Sequence, residues 1–258
     1  MSKSVYIVAV ENSADHLGAE LIQQIKAETP HLSCLGIGGA AMTEQGVISE
    51  IDISGLAILG FIEGMKSYPN IIRRVKETVA SIMMRKPNAV ILIDSWGFMI
   101  RVAQRLKQAG YRGQIIKYLA PQVWAMREGR SKILARSVDH LMTIHNFDAP
   151  YFEKHGLAVT YVGNPIFDTD YRAGDGDYLK NQYKLSSQDQ VMSVFFGSRL
   201  SEIKTLSGVF AQTIAELKSS HPHLKIFSPV SDIIADEVKA VVNNDARLSD
   251  VILLPEHR

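Results

Sequence analysis

The fold follows from the stretch SVYIVAVENSADHLGAELIQQIK, residues 4–26. Val5 to Val10 form an unbroken apolar run, which is typical of a strand buried on both faces of a sheet. The apolar residues then recur at helical spacing, so the pattern predicts an amphipathic helix. The polar elbow between them, Glu11 to Asp15, contains no glycine. It therefore lacks the glycine-rich loop with which nucleotide-binding domains usually wrap a pyrophosphate at this point.

Short apolar runs alternate with helix-length segments through the rest of the chain. Strands that are apolar on both faces and alternate with helices belong to parallel sheets covered on both sides. The pattern therefore predicts an α/β protein with doubly wound sheets. The predicted strands are VYIVAV, SCLGIG, NAVILI, GQIIKYLA, HLMTIH and VTYVG, followed later by VMSVFFGSR, LKIFSPV and VILLP.

The domain organisation follows from a change in residue composition after the sixth predicted strand, where the sequence becomes polar. We expect an N-terminal Rossmann-like domain over residues 1–165, a polar interdomain connection over 166–189 and a second Rossmann-like domain over 190–258. Only three strands fall in the second domain, where a complete one needs roughly 150 residues. We therefore expect this domain to be incomplete in the chain. Its half-built sheet would leave an open edge and an uncovered face, which another chain would have to cover.

Composition bounds the function without defining it. The 258 residues are 46% hydrophobic and 21% charged with a net charge of +1, which gives no support to a nucleic-acid binder. Cys34 is the single cysteine, so the sequence predicts neither an internal disulfide nor a Cys-based metal cluster, and Cys34 suits small core filler better than a nucleophile. No signal peptide and no run of ~18 apolar residues is evident. We expect a protein of the cytoplasm that could still lie against a membrane.

Candidate site residues are those that follow the predicted strands, because ligands of open parallel sheets bind beyond the carboxyl ends of the strands. Asp94 could act there as a general base screened by Trp96 and Trp124. Plainer interpretations remain open at this point: Asp15 and Asp94 also suit helix N-caps, and Arg127 also suits a solvated basic face. The candidates after strands are Ser13, Asp15, Asp94, Gln122, Trp124, Arg127, Asn164, Gly197, Ser198, Arg199 and Glu202.

Two further stretches carry chemical information. Gly197-Ser198-Arg199 ends a strand at a helix start, where backbone N–H groups and an arginine fork suit a diphosphate. The segment at residues 56–86 is apolar and basic together, with the apolar residues on one helical face. It suits a core-facing helix, and alternatively a contact with lipid tails at an anionic membrane surface.

The order of the motifs resembles the lipid-A-disaccharide synthase family, in register from residue 5 to about residue 205 and more weakly to the end. The motifs are ENSADHLGAELI, GIGGAAM, LGFIEGM, PNAVILIDSWGF, YLAPQVWAMREGR, YVGNPIFD and FFGSRLSEI. The resemblance implies an inverting glycosyltransferase of the two-domain GT-B type. Such an enzyme joins UDP-2,3-diacylglucosamine to 2,3-diacylglucosamine 1-phosphate (lipid X), giving the β-1,6-linked disaccharide and UDP. It implies no metal and no cofactor, a peripheral location on the cytoplasmic face of the inner membrane, and compatibility with a homodimer.

Site roles carry over by position. The resemblance makes Asp94 the base that deprotonates the acceptor 6-hydroxyl, and Arg199 an activity-determining residue near the donor diphosphate. The remaining motif positions are implied to bind substrate, and Glu63 lies in the apolar segment associated with acyl chains. These positions are Ser13, Asp15, Glu63, Gln122, Trp124, Arg127, Asn164, Gly197, Ser198 and Glu202.

The chain departs from the family pattern in three places. Ala14 stands where the elbow usually has glycine, and Trp96-Gly97-Phe98-Met99 replace a Pro-Asp-Phe-Asn run that supplies two polar cleft groups. The family's Gly-Thr-Ala-Ala-Leu-Glu segment for the UDP moiety would lie beyond Arg258. Two alternatives therefore stand beside the synthase: another UDP-sugar enzyme of the same fold, such as an epimerase, or a non-catalytic relative that binds lipid or a partner. The apolar LGFIEGM motif argues against the epimerase, and the lost polar groups favour the non-catalytic relative.

Overall fold

The computed structural model describes residues 3–52, 63–168, 170, 172–231 and 234–255. The chain divides into two compact units, Met1–Asp170 and Tyr171–Arg258. Each unit is built on its own sheet, and the strand pairs of both sheets are parallel. The predicted α/β fold with two Rossmann-like sheets is confirmed.

The first unit contains a six-stranded sheet in the order β2-β1-β3-β4-β5-β6. Its strands are β1 (Ser4–Val8), β2 (Ser33–Ile37), β3 (Ala89–Ile93), β4 (Gln114–Tyr118), β5 (His140–Thr143) and β6 (Ala158–Tyr161). Its helices are α1 (Asn12–Glu28), α2 (Ala40–Glu44), α3 (Glu63–Arg85), α4 (Trp96–Gln108), α5 (Gly129–Ser137) and α6 (Ala149–Glu153), with a 3-10 helix at Pro165–Asp168.

The strand order creates a switch point between β1 and β3. Strand β1 pairs with β2 on one side and with β3 on the other, so that Tyr6 lies opposite both Leu35 and Val90. The chain leaves β1 towards β2 and then returns to the far side of β1 to form β3. Ligands of doubly wound sheets bind at such a reversal, beyond the carboxyl ends of the strands. The residues that follow β1 and β3 thus lie at the position where this fold places its ligands.

Helices cover both faces of the first sheet, as strands without polar alternation require. On one face, Val8 and Leu92 pack with Met99 of α4. On the other, Ile7 and Ile93 pack with Ile22 of α1. All six side chains just named are fully buried. Met99, one of the departures from the family pattern, is therefore a core residue of α4.

Helix α3 faces this core over its described side chains. Val75 and Ile82 are fully buried, and Ile71, Val79 and Met83 pack against the same cluster. For residues 71–83, the core-facing interpretation of the apolar and basic segment is correct. Residues 56–62 and the side chain of Glu63 lie outside the described part, and with them most of the LGFIEGM motif.

The second unit contains a three-stranded sheet in the order β7-β8-β9. Its elements are α7 (Gly176–Gln182), β7 (Gln190–Ser193), α8 (Leu200–Ser220), β8 (Leu224–Val230), α9 (Ala235–Asn244), a 3-10 helix at Ala246–Leu248 and β9 (Val251–Pro255). Phe196 and Ile203 pack with Ile226 and Val238 in its core. Helix α7 forms within the expected connection 166–189, where the Asp175 carboxylate accepts a 2.7 Å hydrogen bond from the backbone N–H of Tyr178.

Candidate functional site

The elbow between β3 and α4 carries Asp94 at the switch point. Asp94 and Ser95 both adopt left-handed backbone conformations, with φ of 51° and 34°. Such a conformation costs a residue other than glycine about 1–3 kcal/mol, so two in succession require support from the surrounding structure. The half-buried Asp94 side chain accepts no hydrogen bond within the described part of the chain. Unlike the backbone around it, this carboxylate therefore takes no part in holding the elbow in place.

Lys117 supplies that support from the neighbouring strand β4. Its side chain is 3% exposed, and its Nζ donates to the backbone oxygens of Leu92 at 3.3 Å, Asp94 at 2.7 Å and Tyr118 at 2.9 Å. Burial lowers the pKa of Lys117 to about 7, although the charges of Asp94 and Glu11 act in the opposite direction. The amine of Lys117 thus holds the backbone of Asp94, and the charges of two carboxylates act on it, that of Asp94 after β3 and that of Glu11 after β1.

Strained backbone is concentrated at this end of the first sheet. Of the described residues other than glycine that have positive φ, four follow the carboxyl ends of β3 and β4: Asp94, Ser95, Leu119 and Arg127. Leu119, with φ of 72°, is held by its N–H bond to the oxygen of Met142 at 3.0 Å. Strain of this kind clusters at functional sites, where the fold fixes side chains in directions that relaxed loops do not offer.

The aspartate that follows β1 lies in the first turn of α1 and makes different contacts. Asp15 is 3% exposed, and its carboxylate accepts three backbone N–H bonds, from Gly39 at 2.7 Å, Ala41 at 2.9 Å and Met42 at 3.2 Å. It thereby satisfies the unpaired amides at the start of α2. A Cβ on Gly39 would lie 2.7 Å from an Asp15 oxygen, so the GIGG turn must be glycine for this approach. Asp15 therefore holds the start of α2 in place, and both of its carboxylate oxygens accept hydrogen bonds from that turn.

The loop after β4 brings aromatic and basic side chains to the same end of the sheet. Trp124 is 46% exposed, and its ring lies edge-on to that of Phe147 with the ring centres 5.8 Å apart. The Phe147 ring stacks on that of His145, with the ring centres 5.1 Å apart. Arg130, in the first turn of α5, has its guanidinium 5.0 Å from the centre of the Trp96 ring. Exposed aromatic faces of this kind suit a sugar ring, whose C–H groups pack against them.

The other predicted residues of the first unit lie at its surface or in turns. Ser13 and Gln122 are exposed, and the backbone oxygen of Gln122 accepts from the N–H of Ala125 at 3.2 Å. Asn164 is half-buried, and its side-chain oxygen accepts from the backbone N–H of Ile166 at 3.1 Å, which fixes the start of the 3-10 helix.

The Gly-Ser-Arg stretch in the second unit meets a carboxylate of its own chain. Glu202, in the first turn of α8, accepts from the backbone N–H of Ser198 at 2.8 Å and lies 3.5 Å from the guanidinium of Arg199. These contacts, the backbone hydrogen bond from Ser198 foremost, lower the pKa of Glu202. Gly197 has φ of 112°, and a Cβ there would lie 2.5 Å from the Cβ of Glu202. The Ser198 N–H and the Arg199 guanidinium, which we expected to bind a diphosphate, therefore already contact the Glu202 carboxylate.

Sequence reasoning missed two features of the first unit. In the sequence, Lys117 is a single polar residue within the apolar run IIKYLA. Its burial is evident only from the structure, in which its Nζ donates to the backbone oxygens of Leu92 and Asp94. His145 and Phe147 follow the fifth strand, so the rule that selected the other candidates could have selected them as well. In the described part of the chain, no cluster of three or more His, Cys, Asp or Glu side chains could hold a metal ion. None of the described helices is long and apolar enough to cross a bilayer.

The fold places the protein in a class of known architecture. The UDP-GlcNAc 2-epimerase from Neisseria meningitidis, solved with UDP-GlcNAc bound, superposes with a TM-score of 0.67 at 10% identity, covering 98% of this chain and 72% of that one. The UDP-N-acetylglucosamine 2-epimerase from Rickettsia bellii gives a TM-score of 0.60 at 13% identity, covering 99% and 69%. At these identities the likeness concerns the fold alone, which is the two-sheet α/β fold of these epimerases.

The sequence relatives define the family within that class. The model of the lipid-A-disaccharide synthetase family matches residues 5–256, and the chain belongs to this family. Lipid-A-disaccharide synthases from Rhodospirillum centenum and Paramagnetospirillum magneticum are each 36% identical, over 93% and 98% of this chain. The chain spans 60% and 65% of the length of these two relatives.

Proposed function

We propose that the protein acts as a lipid A glycosyltransferase. In this proposal it joins UDP-2,3-diacylglucosamine to 2,3-diacylglucosamine 1-phosphate and releases UDP. The family membership supports the reaction class, and one structural observation supports the site. That observation is Asp94, whose carboxylate lies unbonded at the switch point of the first sheet while its backbone is fixed by the buried Lys117.

The chemistry requires one proton transfer and one displacement. Asp94 would accept the proton of the acceptor 6-hydroxyl as that oxygen attacks the anomeric carbon of the donor. The bond from the anomeric carbon to the UDP oxygen breaks on the opposite face, which inverts the configuration to β. Arg199 would offset the charge that develops on the leaving diphosphate. A correctly placed general base contributes about 10²–10⁴-fold to such a step.

Glu202 adds a condition on donor binding. Because its carboxylate accepts from the Ser198 N–H, a diphosphate that used the same donor would have to displace it. The diphosphate would thus take the place of the Glu202 carboxylate at the start of α8. The backbone N–H of Ser198 would have an anionic acceptor before and after this exchange. Donor binding would then depend on how strongly Glu202 holds this turn.

The experiment is a transferase assay on the 258-residue chain with both lipid substrates, beside the Asp94→Ala and Asp15→Ala variants. We expect disaccharide from the parent and at least ~100-fold less from Asp94→Ala, whose melting temperature should be unchanged. A folded parent without product would refute the activity of this chain. Product formed equally well by Asp94→Ala would refute the role of Asp94 as base.

The location follows from the substrates. Since both carry acyl chains, we propose that the protein works against the cytoplasmic face of the inner membrane as a peripheral protein. Flotation with anionic vesicles checks this point. The protein should float with the vesicles at low salt. Its recovery only in the dense bottom fraction of the gradient would contradict the proposal.

A further inference from the structure

Two arginines lie around the start of α5, and one of them packs over Trp96, close in sequence to the candidate base. The guanidinium of Arg130 lies 5.0 Å from the centre of the Trp96 ring, and Trp96 follows Asp94 by two residues. Arg127, three residues earlier, adopts a left-handed backbone conformation with φ of 59°, and its oxygen accepts from the N–H of Arg130 at 2.9 Å. The turn that carries both cations is therefore fixed by the backbone and by the indole ring.

The electrostatics of this pair are uncompensated in the described part of the chain. Burial, followed by the charge of Arg127, lowers the pKa of Arg130, so the two cations act on each other. Glu128 lies between them in sequence, but its carboxylate forms an ion pair with Lys154. The first turn of α5 contains no acidic residue. Like charges held close without a counter-ion are unfavourable, and a bound anion would relieve this repulsion.

The chemistry of the pair favours a phosphate monoester. Guanidinium groups present their donors in a planar fork that matches phosphate oxygens, and two forks match the two charges of a monoester. In a pyranose, the anomeric carbon and the carbon that bears the 6-hydroxymethyl group flank the same ring oxygen. A sugar 1-phosphate held by the arginines can therefore direct its 6-hydroxyl towards Asp94, which precedes the Trp96 under Arg130 by two residues.

We propose that Arg127 and Arg130 form the binding site for the phosphate monoester of the acceptor sugar. The identity of the acceptor rests on the proposed function, whereas the phosphate site rests on the geometry of the two arginines. Arg130 would contact the phosphate from its position over Trp96. Arg127 would close the site from the strained turn.

Binding rather than turnover tests this site, so that its failure is distinguishable from failure of the transferase proposal. The full chain is titrated with glucosamine 1-phosphate, inorganic phosphate, UDP and phosphate-free glucosamine, followed by calorimetry and by the ³¹P signal. We expect glucosamine 1-phosphate to bind and glucosamine not to bind. Arg127→Ala and Arg130→Ala should each weaken binding of the sugar phosphate at least about tenfold, the scale of a lost charge-assisted hydrogen bond.

The control is Lys132→Ala, which removes an exposed positive charge two residues beyond Arg130. It should change the affinity less than about twofold, and Arg130→Lys should retain part of the affinity that Arg130→Ala loses. Circular dichroism checks that each variant is folded. Four results would overturn the site: no binding by the parent, equal binding of phosphate-free glucosamine, unchanged affinity in both alanine variants, or an equal loss in Lys132→Ala. Loss of UDP binding alone in the arginine variants would assign the pair to the donor and also overturn it.

Discussion

The elbow after β1 and the elbow after β3 carry the same signal in the sequence and serve different purposes in the structure. Both place an aspartate where a buried strand gives way to a helix, Asp15 in the first turn of α1 and Asp94 two residues before α4. Asp15 is buried, and its carboxylate accepts hydrogen bonds from three backbone N–H groups at the start of α2. The carboxylate of Asp94 accepts none in the described part of the chain, and its backbone oxygen is held by Lys117. The two aspartates thus differ in which group holds the backbone near them: the Asp15 carboxylate itself holds the start of α2, whereas Lys117 holds the backbone of Asp94 and leaves its carboxylate unbonded.

At neutral pH, the largest expected effect on stability is at Asp15. Asp15→Ala leaves the buried N–H of Met42 and the partly buried N–H groups of Gly39 and Ala41 without an acceptor, so the free energy of unfolding should fall by about 3 kcal/mol. Urea unfolding followed by circular dichroism measures this change. Asp15→Asn is the matched control, since its amide oxygen retains part of the acceptor capacity, and it should fall between the parent and Asp15→Ala. Equal stability of all three proteins would contradict the assignment.

The next effect concerns Lys117 and depends on pH. Its pKa is lowered from 10.5 to about 7 in the folded protein, so between these values the unfolded chain binds a proton that the folded one does not. The contribution of Lys117 to stability should therefore rise with pH across this window, by up to about 1.4 kcal/mol per pH unit, and be constant below pH 7.

Lys117→Met isolates that contribution because it removes the titrating group at similar length. Unfolding free energies of parent and variant are measured between pH 6 and 10, and their difference should move in favour of the parent as pH rises above 7. Parallel pH profiles of the two proteins would show that Lys117 does not titrate in this window.

A smaller effect is expected where the second unit repeats the arrangement of Asp15. Glu202 accepts from the Ser198 N–H but is partly exposed, so Glu202→Gln should cost less than about 1 kcal/mol. Its lowered pKa means that this stabilisation is present above the ordinary glutamate pKa and is lost as pH falls. Unfolding at pH 7 and pH 3.5 should show the difference between parent and variant shrinking at the lower pH. A constant difference would contradict this account.

The sequence predicted the fold because its signals are local. Each predicted strand, such as LKIFSPV at β8, coincides with an observed one, since continuous apolar runs between helices form buried parallel strands. The same local rule placed Asp94 beyond β3. The partners of Asp15 lie 24 to 27 residues along the chain, and the acceptors of Lys117 include carbonyls 23 and 25 residues away. Contacts at such separations depend on the packing of strands and turns, which sequence spacing does not reveal.

The most direct test of the central claim is a crossed measurement on Asp94→Asn and Asp15→Asn, with turnover and unfolding free energy determined for each. Asp94→Asn should lose at least ~100-fold in turnover with stability unchanged within about 0.5 kcal/mol. Asp15→Asn should lose stability, and below its unfolding transition it should retain turnover within about tenfold of the parent. A large loss of stability in Asp94→Asn, or an equal loss of turnover in both variants, would contradict the division of labour between the two elbows.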